Sequence, residues 1–373
     1  MDFTDREQDR YSRHHCLPGV GTEGQARLKE AAVLCIGAGG LGSPAALYLA
    51  AAGVGRLGIV DADAVELSNL QRQILHDEES VGEPKTASAA RRLTGLNRDI
   101  RIEPHPVRLT AANVMDMFGN YDLVIDGSDN FPTRFLANDA AWLAGKPLVA
   151  GAIFQFEGQL TVFDRGRDSP CYRCLLPEPP PPGAVPGCDE AGVLGALPGV
   201  IGTLQAMEAL KLLLGHGTPL TGRMLHYDAT AARFRELELQ PDPACPLCGS
   251  HPTITAPVDY EAHCSSADAL DEIAVADLQA ILEADFEGVL LDVRQPEEHA
   301  AVRLPGSTLL PLGELPARLD SLPADVPYLV YCKSGQRSAS AVALLREAGF
   351  SDVRNVRGGI TSWIRELGPP PAA

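Results

Sequence analysis

A chain of 373 residues is too long for one ordinary hydrophobic core, which predicts two or three domains. The apolar share of 45% suits a globular protein, and a net charge of -18 repels nucleic acid and anionic lipid, so any phosphate site must be a local basic pocket. The acidic opening Met1-Asp-Phe-Thr-Asp-Arg-Glu lacks the pattern of a signal peptide, and no apolar run reads as a membrane span, so the expected setting is cytoplasmic, with neither nucleic acid nor membrane as partner.

Arg10-Tyr11-Ser12-Arg13-His14 precedes the first strand, and on composition alone it reads as solvated surface. Val33 to Ile36 is an apolar run that predicts a buried strand; Gly37-Ala-Gly39-Gly40-Leu-Gly42 follows, and Ser43 with Pro44 reads as N-cap and first turn of an alanine-rich helix reaching Ala52. Strand, glycine turn and helix N-terminus make an anion cradle, because the free N–H groups and the dipole face the loop and no side chain blocks a phosphate. Asp61 closes the next strand (Leu57 to Val60), where dinucleotide sites place a ribose-binding acid. From the loop alone, NAD and ATP stand level.

The polar stretch from Asp63 to Gln73 predicts a loop at the carboxyl edge of the sheet, and Lys85 stands at the head of a helix over 84–96. A strand over Tyr121–Asp126 runs into Gly127-Ser128-Asp129-Asn130. Asp129 there can reach a magnesium ion on phosphates, or Asp129 or Asn130 can cap the helix Phe131–Ala144. With further strands over 148–153 and 158–163, the order predicts an α/β fold with a doubly wound, mostly parallel sheet.

Cys171-Tyr-Arg-Cys174 leads into a proline run, then Cys188 in a glycine-rich loop, either incidental or a nucleophile, and an apolar helix over 199–214. Cys245-Pro-Leu-Cys248 supplies a second pair. Nine cysteines without a disulfide pattern and two Cys-x-x-Cys pairs favour a four-thiolate structural zinc, with a redox pair as the alternative. Residues 1–250 form the first predicted domain, 251–268 a linker and 269–373 a second, smaller α/β domain.

In that second domain a helix is expected over 276–283, strands over 289–294 and 328–331, and a helix over 339–348. Between the last two lies Cys332-Lys333-Ser334-Gly335-Gln336-Arg337-Ser338, a second anion cradle with cysteine at its mouth. The helix pole and Arg337 favour thiolate, and a drop of ~2 pK units would amount to roughly 2.7 kcal/mol. A thiol-dependent phosphatase would need arginine at 338, where this chain has serine, so the shorter loop suits sulfur better than phosphate.

These motifs together resemble the MoeB/ThiF adenylyltransferases, bacterial relatives of ubiquitin-activating enzymes, and the last hundred residues resemble a rhodanese sulfurtransferase domain. Arg10-Tyr-Ser-Arg13, the glycine loop, Ser68-Asn-Leu-Gln-Arg72-Gln73, Asp126-Gly-Ser-Asp129-Asn130, both cysteine pairs and Glu190-Ala-Gly-Val-Leu-Gly195 match in order. The resemblance favours ATP over NAD. It implies nucleotide contacts from Gly40, Asp61, Ser68, Asn69, Leu70, Gln71, Arg72, Lys85, Asp129 and Asn130, with magnesium on Asp129 and zinc (Zn2+) on Cys171, Cys174, Cys245 and Cys248.

It further implies a homodimer with Arg13 entering the partner's ATP site, a persulfide on Cys332, and a thioester or disulfide role for Cys188. The implied partners are a ubiquitin-like sulfur carrier ending in Gly-Gly and an upstream sulfur donor such as a cysteine desulfurase; molybdenum cofactor, thiamin, tRNA thiolation and cysteine synthesis all use such carriers. Two features depart from the pattern: Val302-Arg-Leu-Pro-Gly-Ser307 replaces the usual Gly-His-Ile-Pro-Gly-Ala, and the proline run is long. An NAD-dependent oxidoreductase would leave the arginines, the zinc and the second domain unexplained. An activator for protein conjugation remains the other alternative.

Overall fold

The computed structural model describes residues 3–167, 169–180, 192–260, 272–284 and 286–370. The chain divides into two compact units, the first ending at Tyr260.

The first unit is built on strands β1 (Ala32–Ile36), β2 (Arg56–Val60), β3 (Arg101–His105), β4 (Leu123–Asp126), β5 (Leu148–Phe154), β6 (Glu157–Phe163), β7 (Arg223–Asp228) and β8 (Arg233–Glu238). They form one sheet in the order β3-β2-β1-β4-β5-β6-β7-β8. The strands from β3 to β5 run parallel, whereas β6, β7 and β8 add on antiparallel. β1 sits inside the sheet and every one of its side chains is buried, as a continuous apolar run between two helical layers requires. Chain order reverses between β1 and β4, so the crevice beyond their carboxyl ends is the place where such sheets bind ligands.

Register brings the predicted residues to that crevice. Ile36 pairs with Val60 on one side and with Asp126 on the other, so the loop after β1 lies between Asp61 and Gly127. A Cβ on Gly37 would stand 3.1 Å from the carbonyl oxygen of Gly127. The helix Ala196–Leu214 covers this layer, packing on β5, β6 and the helix Gly42–Ala52. Among the described helices it alone has the length and apolarity to cross a membrane, which the reading of apolar runs overlooked, yet here it serves as a core helix against the sheet.

The second unit carries β9 (Glu272–Ile273), β10 (Val289–Asp292), β11 (Thr308–Leu309), β12 (Tyr328–Tyr331) and β13 (Val353–Val356) in a parallel sheet of order β11-β10-β12-β13-β9. β12 is central and wholly buried, and it delivers Cys332 to the carboxyl edge.

Three local expectations change. Ser43 does not cap its helix: Leu41 occupies the cap without a side-chain bond, and the Ser43 hydroxyl donates to the Ala38 carbonyl at 3.4 Å. The helix after Cys332 begins at Gln336, three residues sooner than its composition suggested, so Arg337 and Ser338 belong to its first turn. The middle of the expected linker packs on the first unit: Val258 lies on the core, Asp259 accepts the Ala111 N–H at 2.7 Å, and Tyr260 is buried against Arg173 and Asp139.

Candidate functional site

The glycine loop is shaped by its carbonyls. Gly37 has a φ of +85°, a left-handed conformation that only glycine adopts without strain, and a Cβ on Gly42 would fall 1.9 Å from the Gly37 oxygen. The Gly39 carbonyl accepts the Ser43 N–H at 2.9 Å and the Ala38 N–H donates to Asp61 Oδ2 at 2.8 Å. The N–H groups of Gly39, Gly40 and Leu41 have no partner among the described residues. Together with an eleven-residue helix lacking a side-chain cap, they form an anion nest.

Charged groups surround it. The stem of Arg72 lies against Gly40, whose Cβ would be 3.6 Å from Arg72 Cγ, and its guanidinium donates to the Ser68 carbonyl at 3.1 Å. Lys85 is buried with its ammonium 2.9 Å from Asp63 Oδ2. A cation at the first turn of a helix opposes the helix dipole, so Lys85 needs an anion there, and Asp63 provides one. Asn69 is buried and Asn69 Oδ1 accepts the Glu66 N–H, which holds the short helix Leu67–Asn69; Ser68 lies within this turn, Leu70 and Gln71 follow it, and Gly195 packs on the Gln71 carbonyl.

Asn130 proves to be the cap of the helix Phe131–Ala144, accepting the Thr133 N–H at 2.9 Å, and this leaves Asp129 exposed beyond β4 with its carboxylate available to a cation. Two residues the sequence did not single out hold the turn. Buried Asp126 accepts both the N–H (2.9 Å) and the hydroxyl (2.6 Å) of Ser128, while Arg134 donates to the Ser128 carbonyl at 3.0 Å. Their signals were present, an acid ending an apolar strand and an arginine in the next helix, but either reads equally well as a surface feature. Arg13 lies on the helix Ser12–His15, exposed and without an ion pair among the described residues.

The two cysteine pairs converge. Cys171, Cys174, Cys245 and Cys248 bring all four sulfurs within 4.8 Å of one another, with Cys171 and Cys245 3.5 Å apart and Cys174 and Cys248 3.2 Å apart. These separations exceed a disulfide bond and approach the edges, about 3.8 Å, of a sulfur tetrahedron around zinc. The thiols share protons: a hydrogen bond from Cys171 pulls Cys174 down, while that bond and burial push Cys171 up, and burial pushes Cys248 up to about 12. Four thiolates would leave no open coordination position, so an ion held by these cysteines would be a staple. The cysteine cluster braces the helix Phe131–Ala144, since Asn138 accepts the Tyr172 N–H at 2.8 Å and Asp139 pairs with Arg173 at 2.8 and 2.9 Å.

At the second cradle the structure corrects two expectations. Cys332 is the floor of the loop and not its mouth, 0% exposed, with Sγ accepting the Gly335 N–H at 3.1 Å and the Ser338 hydroxyl at 3.4 Å. Arg337 does not face the sulfur with a bare charge, because its guanidinium forms a two-pronged pair with Glu298 at 2.8 and 2.9 Å. Burial alone would raise the Glu298 carboxyl, but the bond from Arg337 and the Gln295 N–H hold it below the ordinary range. What remains for an anion is the helix pole, uncapped by any side chain, and the loop N–H groups. Lys333 and Ser334 rim the loop, Gly335 turns it with a φ of +94°, and the side chain of Gln336 lies outside the described residues, as does all of Cys188.

Known proteins share this organisation. A ThiF family model matches residues 11–247, and a rhodanese-like domain model matches 274–366. A sulfur carrier protein adenylyltransferase of Thermus thermophilus is 58% identical over 71% of this chain and 99% of its own length. A probable adenylyltransferase/sulfurtransferase MoeZ of Mycobacterium tuberculosis is 45% identical over 97% of this chain and 94% of that one. The adenylyltransferase and sulfurtransferase MOCS3 of Mus musculus is 43% identical over 96% and 85%. Among solved structures, E. coli MccB with MccA-N7isoASN is similar in fold, with a TM-score of 0.57 and 21% identity over 67% of this chain and 76% of that one. The chain belongs to the ThiF family and carries a rhodanese-like domain after its ThiF portion.

Proposed function

We propose that the protein activates the C-terminal Gly-Gly carboxylate of a ubiquitin-like sulfur carrier with ATP and then replaces one carboxylate oxygen by sulfur carried on Cys332. The observation that supports this most is the pairing, on one chain, of an amide nest flanked by Arg72, Lys85 and Asp129 with a second cradle whose floor is a thiol. The relatives named for both activities span nearly the whole chain.

In the first step the carboxylate attacks the α-phosphorus of ATP, and pyrophosphate leaves with its electron pair. Such a transfer needs alignment and charge neutralisation more than covalent help. Arg72 and Lys85 supply positive charge, the Gly39–Leu41 N–H groups hold phosphate oxygens, and Asp61, tied to the loop by the Ala38 N–H, is the acid assigned to the ribose. Asp129 is the residue that would hold a magnesium ion, whose chemistry is to neutralise phosphate charge. Lys85 exchanges Asp63 for a phosphate when ATP arrives.

The second step begins with Cys332 as a persulfide, its outer sulfur delivered by an upstream donor of the cysteine desulfurase class. The S–S bond adds about 2 Å of reach beyond the buried Sγ. The outer sulfur attacks the acyl carbon and AMP departs, giving an acyl disulfide. A second thiolate, assigned to Cys188, then attacks the Cys332 sulfur, releasing the thiocarboxylate; the resulting disulfide must be reduced by an external thiol before the next turnover.

Arg13 completes the reading as a residue given to a second copy: it is exposed and without an ion pair among the described residues, and the packed helices Gly42–Ala52 and Ala196–Leu214 leave Tyr48 and Met207 more than half exposed, an apolar face suited to a homodimer. The test is ATP–pyrophosphate exchange dependent on a carrier protein. Asp129→Ala is expected to lower exchange at least a hundredfold in a folded protein; exchange at the wild-type rate would refute the assignment.

A further inference from the structure

His76 is buried just beyond the Arg72 segment, and its two ring nitrogens join two parts of the nucleotide site. Nε2 lies 3.0 Å from the Ala38 carbonyl and Nδ1 2.9 Å from the Ser88 hydroxyl. A carbonyl can only accept, so in the neutral ring Nε2–H donates to Ala38 and Nδ1 accepts from Ser88. Ser88 stands one turn after Lys85 on the helix Lys85–Leu96. The ring therefore ties the glycine loop to the helix that carries the buried lysine.

Peptide geometry gives this bond a consequence. The Ala38 carbonyl and the Gly39 N–H belong to one trans peptide plane and point in opposite directions. Holding the carbonyl toward His76 turns the Gly39 N–H to the other side of the loop, where it has no partner among the described residues. The Ala38 N–H is tied separately to Asp61, so the peptides on both sides of Ala38 are fixed. The Ser43 hydroxyl also reaches the Ala38 oxygen, but at 3.4 Å it is the weaker donor. A peptide flip at this point would present a carbonyl oxygen to the anion in place of an N–H.

We propose that His76 is a positioning residue for the nucleotide: it holds the Ala38–Gly39 peptide with the N–H turned to a phosphate of ATP and keeps that N–H in register with Lys85. The assignment rests on reading the glycine loop as the ATP site. It differs from a merely structural role for a buried histidine in what it affects, since losing a phosphate contact weakens ATP binding while a packing defect lowers stability or the amount of active protein.

The experiment uses the full chain in carrier-dependent ATP–pyrophosphate exchange. His76→Leu should raise KM for ATP about tenfold, the size of one lost hydrogen bond to a charged group, with kcat and KM for carrier within about threefold of wild type. His76→Gln, whose amide can still donate to Ala38, should restore most of the loss. If the leucine variant fails to fold, His76→Asn carries the test, because its shorter amide keeps the Ser88 bond and gives up the one to Ala38. An unchanged KM for ATP in a folded leucine or asparagine variant, or a fall in kcat alone, overturns the proposal. Titration calorimetry with ATP on the same variants gives the comparison without chemistry, so absence of exchange in the wild type would count against the reaction and leave His76 judged by binding.

Discussion

Burial pulls the His76 ring below the ordinary histidine range, with Lys85 acting in the same direction and the Ala38 bond, Asp61 and Asp77 opposing it. Above about pH 6.5 the ring is neutral whether folded or unfolded and contributes no pH dependence. As pH falls below that value the unfolded chain takes up a proton that the native ring resists, so stability declines until the native pKa is passed. Urea unfolding between about pH 5 and 7 should therefore show a steeper loss for wild type than for His76→Gln, and parallel curves would contradict this. The opposite case occurs at Asp292, where burial would raise the carboxyl but Arg294 and His299 outweigh it and hold it low. Its contribution is fully present above the ordinary carboxylate value near 4 and is lost only as pH falls through the depressed one. The placement of Asp61 and Asp129 just past strand ends and the pairing of the four cysteines were readable from types and spacing, whereas Arg72 and Lys85 entered only through the family resemblance. Arg337 was misread for a physical reason, since its partner Glu298 is 39 positions away and invisible to local pattern.

Elements meet at the glycine loop through backbone contact, where a single carbon matters. A Cβ on Gly202 of the helix Ala196–Leu214 would fall 2.2 Å from the Leu41 carbonyl and 2.6 Å from Pro44. Gly202→Ala must push that helix off the one that begins after the loop, costing about 1–3 kcal/mol by overpacking and raising KM for ATP as Leu41 moves. Chemical denaturation and exchange kinetics on the same sample check both; an unchanged denaturation midpoint would contradict the packing. The parallel strands β1, β2 and β4 were legible as apolar runs because both faces are covered. The strands β3, β7 and β8 were not. β3 is an edge strand in which Arg101 is exposed and Pro104 is tolerated, and every residue of β8 is exposed, so neither has the apolar signal that marks a strand.

Across the whole molecule, two chemistries are divided between units with separate cores, and the cysteine cluster belongs to the first alone. If the four cysteines hold a metal, treatment with a chelator, like Cys245→Ser, should lower thermal stability and carrier-dependent exchange together, because the helix leading from Asn130 is braced by Asn138 and Asp139 against the cysteine knuckle. Persulfide loading of Cys332 should survive; its loss along with exchange would contradict the division. The first unit ends inside the stretch 251–268 expected as a linker, but the packing of Tyr260 was not readable, because its burial depends on Asp139 and Arg173, both far away in sequence. The most direct test of the account is the mass of the carrier's C-terminus after one turnover on protein preloaded with persulfide. Wild type should yield the thiocarboxylate, Cys332→Ala the acyl-adenylate alone, and Asp129→Ala the untouched carboxylate; thiocarboxylate from Cys332→Ala at the wild-type rate would contradict the account.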